Sequence, residues 1–180
     1  MMRTVRPIGL AAAVLVIASG CSRDAAWPAV LQAVEMAYPD VRHVTTDSLA
    51  RWMSRASLPQ PLLLDVRSPE EYAVSHLQGA LRIDPDTETF TALEARSRDA
   101  PIVAYCSVGY RSSALVSRLQ TAGFTNVANL QGSIFRWANE RRPVYRADRP
   151  VGEVHHYDGA WGRLLDEELH AARADVSSSP

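Results

Sequence analysis

Ile102-Val-Ala-Tyr-Cys106-Ser-Val-Gly-Tyr-Arg111-Ser-Ser113 is the stretch on which the reading of this chain turns. An apolar run rich in β-formers ends at a cysteine, and after four intervening residues comes an arginine. From Ser113 the apolar positions Leu115, Val116, Leu119 and Ala122 keep a period near 3.6, and Gly123 stands where a helix C′ residue belongs. The pattern predicts a buried parallel strand, a tight loop and a helix N-terminus in direct succession. Loop amides and helix dipole converge at such a point and favour an anion. Arg111 adds a charge that does not titrate away. All three effects lower a thiol pKa, and the thiolate is the reactive form. Cys106 therefore reads as a nucleophile in an anion cradle, against the plainer alternative of a small buried hydrophobe.

Upstream, Leu62-Leu-Leu-Asp65-Val-Arg67 reads as a second buried strand, ending in two charges. Ser68-Pro-Glu-Glu71 then supplies an N-cap, a proline at N1 and a capping-box glutamate at N3. Asp65 and Arg67 either pair with each other or serve the crevice that open α/β sheets form beyond their strand ends. His76-Leu-Gln-Gly79 reads as a turn held by the histidine, which is not expected to act as a base.

These two stretches resemble the rhodanese family, which carries a Cys-x4-Arg active loop after a central strand. Asp65-Val-Arg67-Ser-Pro-Glu-Glu-Tyr72 with His76-Leu-Gln-Gly79-Ala80 is the second mark, and the likeness runs over about residues 41–145. The family implies an α/β, rhodanese-like fold, with a five-stranded mostly parallel sheet flanked by helices on both faces. It implies that Cys106 takes up a sulfane sulfur as a persulfide and passes it to a thiol or cyanide-like acceptor. Ser107, Val108, Gly109, Tyr110 and Arg111 would bind the sulfur or departing oxyanion, Tyr110 walling the pocket, while Asp65 and Arg67 support the loop from below. A related phosphatase loop has one more residue between cysteine and arginine, so this one is cut for sulfur. The alternative is a membrane-anchored, non-catalytic rhodanese-like module that binds a partner or stores persulfide. The family's pair of glycines near position 132 is here Gly132-Ser133.

The remaining chain sets the bounds. Its 180 residues suit one domain with appendages, and an apolar fraction of 47% can fill a core. All 19 basic residues are arginine, which excludes Schiff-base chemistry and a Walker-type phosphate lysine. Two cysteines and five scattered histidines make no metal pattern, and no metal or cofactor is expected. A net charge of −1 suggests no nucleic-acid face.

Residues 1–20 carry Arg3 and Arg6 before a short apolar run, and Ala18-Ser-Gly-Cys21 follows. This resembles a lipoprotein signal, in which Cys21 is lipidated, although such boxes favour leucine where Ala18 stands. The alternative is an ordinary signal peptide with an incidental cysteine. Either form implies export. By resemblance to such lipoproteins, Ser22 implies a periplasmic protein anchored to the outer membrane, and the rhodanese likeness implies a small sulfur donor and a thiol acceptor as partners. Oligomeric state is left open.

Further expectations are a helix within the 21–40 segment, an edge strand over 41–44, and Thr46 capping a helix with Leu49, Trp52 and Met53. A brief strand over 80–83, a helix over 90–98, a strand over 126–130 and a helix from Gln131 complete the domain. Arg141 and Arg142 either draw an anionic substrate or form a solvated helix end. The 146–180 extension should hold one amphipathic helix over 162–169 and a disordered end. Tyr157 and Trp161 should act as packing rings.

Overall fold

The computed structural model describes residues 23–87, 89–157 and 159–172. Helix α1 (Arg23–Ala37) leads to strand β1 (His43–Val44) and helix α2 (Thr46–Met53). Strand β2 (Leu62–Asp65), helix α3 (Pro69–Val74) and strand β3 (Leu81–Arg82) follow. Strand β4 (Ile102–Tyr105), helix α4 (Tyr110–Thr121), strand β5 (Val127–Leu130) and helix α5 (Ser133–Asn139) complete the domain. The five strands form one parallel sheet in the order β1-β5-β4-β2-β3. β4 lies at its centre, so the loop after it opens at the middle of the sheet's carboxyl edge.

The strand residues of β4 and β5 are buried on both faces, as parallel sheets with two helical layers require. Successive side chains alternate across the sheet. Val103 and Tyr105 enter the layer with Leu49, Phe135 and Trp137, while Ile102 and Ala104 enter the layer with Leu115, Val116 and Leu119. Cys106 keeps the parity of Ile102 and Ala104, and joins the α4 side.

Several local expectations need correction. The cap of α2 is Thr45, whose Oγ1 accepts from the Ser48 amide at 3.1 Å; Thr46 is already the buried first residue. The helix expected over 90–98 is only a 3-10 turn, Thr91–Leu93. Leu93 and Phe90 are its apolar anchors, and the charged run that follows offers no second face to bury. α4 begins at Tyr110, one turn earlier than its apolar period suggests.

The extension departs most. A hairpin of β6 (Val144–Arg146) and β7 (Arg149–Val151) precedes two 3-10 turns, Trp161–Leu164 and Glu167–Leu169, in place of one amphipathic helix. Asn139 at the end of α5 explains this. Its Nδ2 donates to the Leu164 carbonyl at 2.8 Å and its Oδ1 accepts from the Asp166 amide at 2.9 Å. Leu165 is thereby held extended, and the two turns cannot merge. Cys21, at the proposed lipidation position, and the final residues expected to be disordered lie outside the described residues. Among the described residues, no helix is long and apolar enough to cross a membrane.

Candidate active site

Cys106 leaves β4 with its side chain in the α4 layer, and the next four residues wrap around its sulfur. The Gly109 amide donates to Cys106 Sγ at 3.1 Å. Gly109 achieves this at φ 115, where a Cβ would stand 3.1 Å from Asn129 Nδ2. It is also the N-cap of α4, so the positive end of a twelve-residue helix begins beside the sulfur.

The reverse side of the loop is fastened to α5. Ile134 and Phe135 donate their amides to the carbonyls of Cys106 and Ser107, at 3.2 and 3.1 Å. A trans peptide points its N–H opposite its C=O, so the Ser107 and Val108 amides face away from α5. Ser133 completes the fastening: its Oγ accepts from the Cys106 amide and donates to the Leu130 carbonyl, both at 3.1 Å. Ser133 holds φ 51, a left-handed conformation that glycine adopts more easily. Its hydroxyl is what a glycine there would lack.

A third element reaches the loop from α3. Glu71 completes the predicted capping box with Ser68, and its carboxylate lies beside β4's loop as well. Arg111 donates Nη1 to Oε2 and Nη2 to Oε1 of Glu71, each at 2.8 Å. Ser107 Oγ donates to Glu71 Oε1 and accepts from Arg111 Nη2, each at 3.0 Å. Burial pushes the Glu71 carboxyl up, but the Arg111 guanidinium, the Ser68 amide and the Arg67 charge outweigh it and hold the group at about 2. Arg111 is thus a paired cation rather than a free one.

Cys106 itself is 1% exposed. Burial pushes its thiol up, whereas the Arg111 charge, the nearby Ser112 and the Gly109 amide pull it down. The net effect is a thiol pKa lowered from its ordinary value. In front of the sulfur lies a cavity of about 90 Å³ lined by Cys106, Ser107, Val108, Tyr110, Arg111, Tyr157 and Trp161. Five of the six residues expected at the loop, Tyr110 among them, line this cavity, and the sixth, Gly109, meets the sulfur through its amide. Tyr38, beyond the end of α1, packs edge-on against the Tyr110 ring at 5.2 Å.

Asp65 and Arg67 lie deeper. Both are fully buried, paired at 2.7 Å, and Arg67 also donates to the Ser75 carbonyl. They reach the loop indirectly, through the Tyr105 ring 5.9 Å from the Arg67 guanidinium and through the Arg67 charge on Glu71. His76 stacks on Tyr72 at 4.0 Å and pairs its backbone with Tyr145, away from Cys106. Arg141 pairs with Asp166 and Glu168, and Arg142 with Asp47 and Glu140. Neither lines the Cys106 cavity.

Sequence reasoning did not place Glu71, Ser133, Tyr157 or Trp161 at the site. Glu71 was visible as a capping-box residue beyond a strand end, which was a usable signal. Ser133 stood out only as a departure from glycine. Tyr157 and Trp161 carried no signal beyond their aromatic character.

The sequence profile of the family described as "Rhodanese-like domain" matches residues 45–140. The chain is 31% identical over 101 residues to a protein of Mycobacterium tuberculosis named "Probable adenylyltransferase/sulfurtransferase MoeZ", covering 56% of this chain and 25% of that one. It is 29% identical over 119 residues to a tRNA uridine(34) hydroxylase of Escherichia coli, covering 63% of this chain and 34% of that one. The chain thus spans about a quarter to a third of the length of these curated relatives. Its fold is similar to the crystal structure of a rhodanese-related protein from Thermoplasma volcanium, with a TM-score of 0.50 and 26% identity. That match covers 58% of this chain and 98% of that one.

Proposed function

Because the chain belongs to the rhodanese-like domain family, we propose that it is a sulfurtransferase working through a Cys106 persulfide. The observation that carries this reading is the sulfur's setting: a thiol of lowered pKa, hydrogen-bonded by the Gly109 amide at the start of α4 and opening on a cavity. The Cys106 thiolate attacks the outer sulfur of a donor such as thiosulfate. A new S–S bond forms, the donor's S–S bond breaks, and sulfite departs with the bonding pair. The outer sulfur keeps one negative charge, which the loop amides and the Arg111 side chain favour. An acceptor nucleophile then attacks that sulfur, the persulfide bond breaks, and the electron pair returns to Cys106 as thiolate.

The full chain incubated with thiosulfate should consume donor catalytically when cyanide or a small thiol is supplied, and Cys106→Ser should not. A partner-binding module or persulfide store would show no turnover with any acceptor. The segment from Arg3 to Cys21, with Ser22 after it, supports placing this chemistry on the outer-membrane surface facing the periplasm. Cys21→Ser should then move the protein from the membrane to the soluble fraction.

A further inference from the structure

The 154–170 segment lies outside the residues matched to the family, yet it supplies two walls of the cavity, Tyr157 and Trp161. Its two ends are tied together. Val154 donates to the Leu169 carbonyl at 2.7 Å, and the Ala171 amide returns to Val154 at 3.1 Å. Its base is sunk into the core through Val154, Leu164 and Leu165, which are 0%, 0% and 1% exposed. Inside this closed loop, Gly162 packs so closely that a Cβ would meet the His156 carbonyl at 3.1 Å, and His156 stacks on His170 at 5.1 Å. A compact surface loop with joined ends is an Ω-type loop, a form often found carrying function.

The Tyr157 ring lies over the Arg111 guanidinium, with 4.9 Å from Cζ to the ring centroid. Tyr157 is 45% exposed and holds φ 65. Such a position, unfavourable for a bulky residue, is kept where its surroundings demand it. The sulfur behind the rim is nearly closed to solvent, and the space in front of it suits a group of a few heavy atoms.

We infer that this loop is the acceptor filter of the site: Tyr157 and Trp161 form an aromatic rim that admits slender small-molecule nucleophiles to Cys106 and turns away cysteines borne on folded proteins. As a claim about sulfur acceptors it rests on the sulfurtransferase reading; as a claim about access to Cys106 it does not.

The test uses the full chain and Tyr157→Gly, Trp161→Ala, the double variant and Tyr157→Phe. Glycine suits the left-handed backbone at 157, so that variant should fold even where loss of Trp161 disturbs packing. Alkylation of Cys106 is timed with iodoacetamide and with a bulky fluorescein iodoacetamide. Sulfur transfer is timed to cyanide, to a small thiol and to a small folded protein bearing one exposed cysteine of the same pKa. In Tyr157→Gly the bulky reagent and the protein thiol should gain at least tenfold relative to their small counterparts, with Tyr157→Phe unchanged. An unchanged ratio in the folded Tyr157→Gly variant would overturn the filter. So would a wild type that serves the protein thiol as fast as a small thiol of equal pKa. If alkylation selectivity opens while no variant transfers sulfur, the rim stands and the sulfurtransferase reading falls.

Discussion

Glu71 and Arg111 face each other in a two-toothed ion pair, both contacts 2.8 Å, although 40 residues separate them in the chain. The pair joins the start of α3 to the first turn of α4, and Ser107 bridges its two members. Matched planar geometry makes such a pair stronger and more directional than a single contact. It fixes the loop from outside while α5 fixes it from below. It also divides the Arg111 charge between a structural carboxylate and the cavity. Arg111 therefore serves the Cys106 sulfur and the loop's structure at once.

The first prediction concerns acid. Folded Glu71 titrates at about 2 instead of near 4.5, so between those values the folded state binds fewer protons than the unfolded one. The resulting stabilisation, on the order of 3 kcal/mol, is complete above about pH 4.5 and is lost as pH falls towards 2. Glu71→Gln keeps a capping side chain but cannot titrate. Urea denaturation across pH 2–6 should show a shallower acid loss in the variant. Equal slopes in the two proteins would remove Glu71 from this role.

The second concerns Arg111. Arg111→Ala takes away the largest influence lowering the Cys106 pKa while the amides remain. The Cys106 pKa should rise, and the thiolate fraction near neutral pH should fall. The same change strands the buried Glu71 carboxylate, which should cost about 3–5 kcal/mol. Combining it with Glu71→Gln should restore much of the stability but not the low thiol pKa. Iodoacetamide rates against pH read the thiol, and denaturation reads the fold. If the double variant recovered both, the two effects would not be separable as argued.

A third prediction separates strain from hydrogen bonding at Ser133. Both Ser133→Ala and Ser133→Gly leave the Cys106 amide without its 3.1 Å acceptor, at about 1–3 kcal/mol. Only glycine also relieves the φ 51 backbone, which is worth about 1 kcal/mol. The glycine variant should therefore be the more stable of the two, and both should fall below wild type. An alanine variant matching or exceeding the glycine one would contradict the left-handed strain.

Gly109 offers the fourth. Alanine there meets φ 115 and a 3.1 Å approach to Asn129, so the amide that bonds Sγ must shift. Gly109→Ala should lose about 1–3 kcal/mol and raise the Cys106 alkylation midpoint. Gly79, at φ 70 with no atom within 4 Å of an added Cβ, is the control. Gly79→Ala should strain the fold without moving that midpoint. A matching shift in both would mean that the thiol responds to general loosening.

Much of the architecture was legible because it is written locally. The β4 run, the Cys106-to-Arg111 spacing and the α4 period lie in one contiguous segment, and alternation alone puts Cys106 on the α4 side. Glu71 was hidden because its capping role already accounts for it, and its second role appears only when β2 and β4 lie side by side. The aromatic rim was hidden for a different reason. Leu164, Leu165 and Leu169 carry a helical pattern, but Asn139 captures the backbone at Leu164 and Asp166 and turns the segment into a loop. A side chain from α5 overrides local propensity there, in the same segment whose Tyr157 and Trp161 line the cavity.

Cys106 alone should carry transferable sulfur, and intact mass spectrometry reads this on the protein itself. Protein beginning at Ser22, exposed to thiosulfate and freed of excess donor, should gain the mass of one sulfur atom. Cyanide should remove the added mass as thiocyanate forms, and Cys106→Ser should never acquire it. An unmodified wild type, slow to alkylate and destabilised by Cys106→Ser, would instead mark Cys106 as a buried packing residue and rule out the persulfide route.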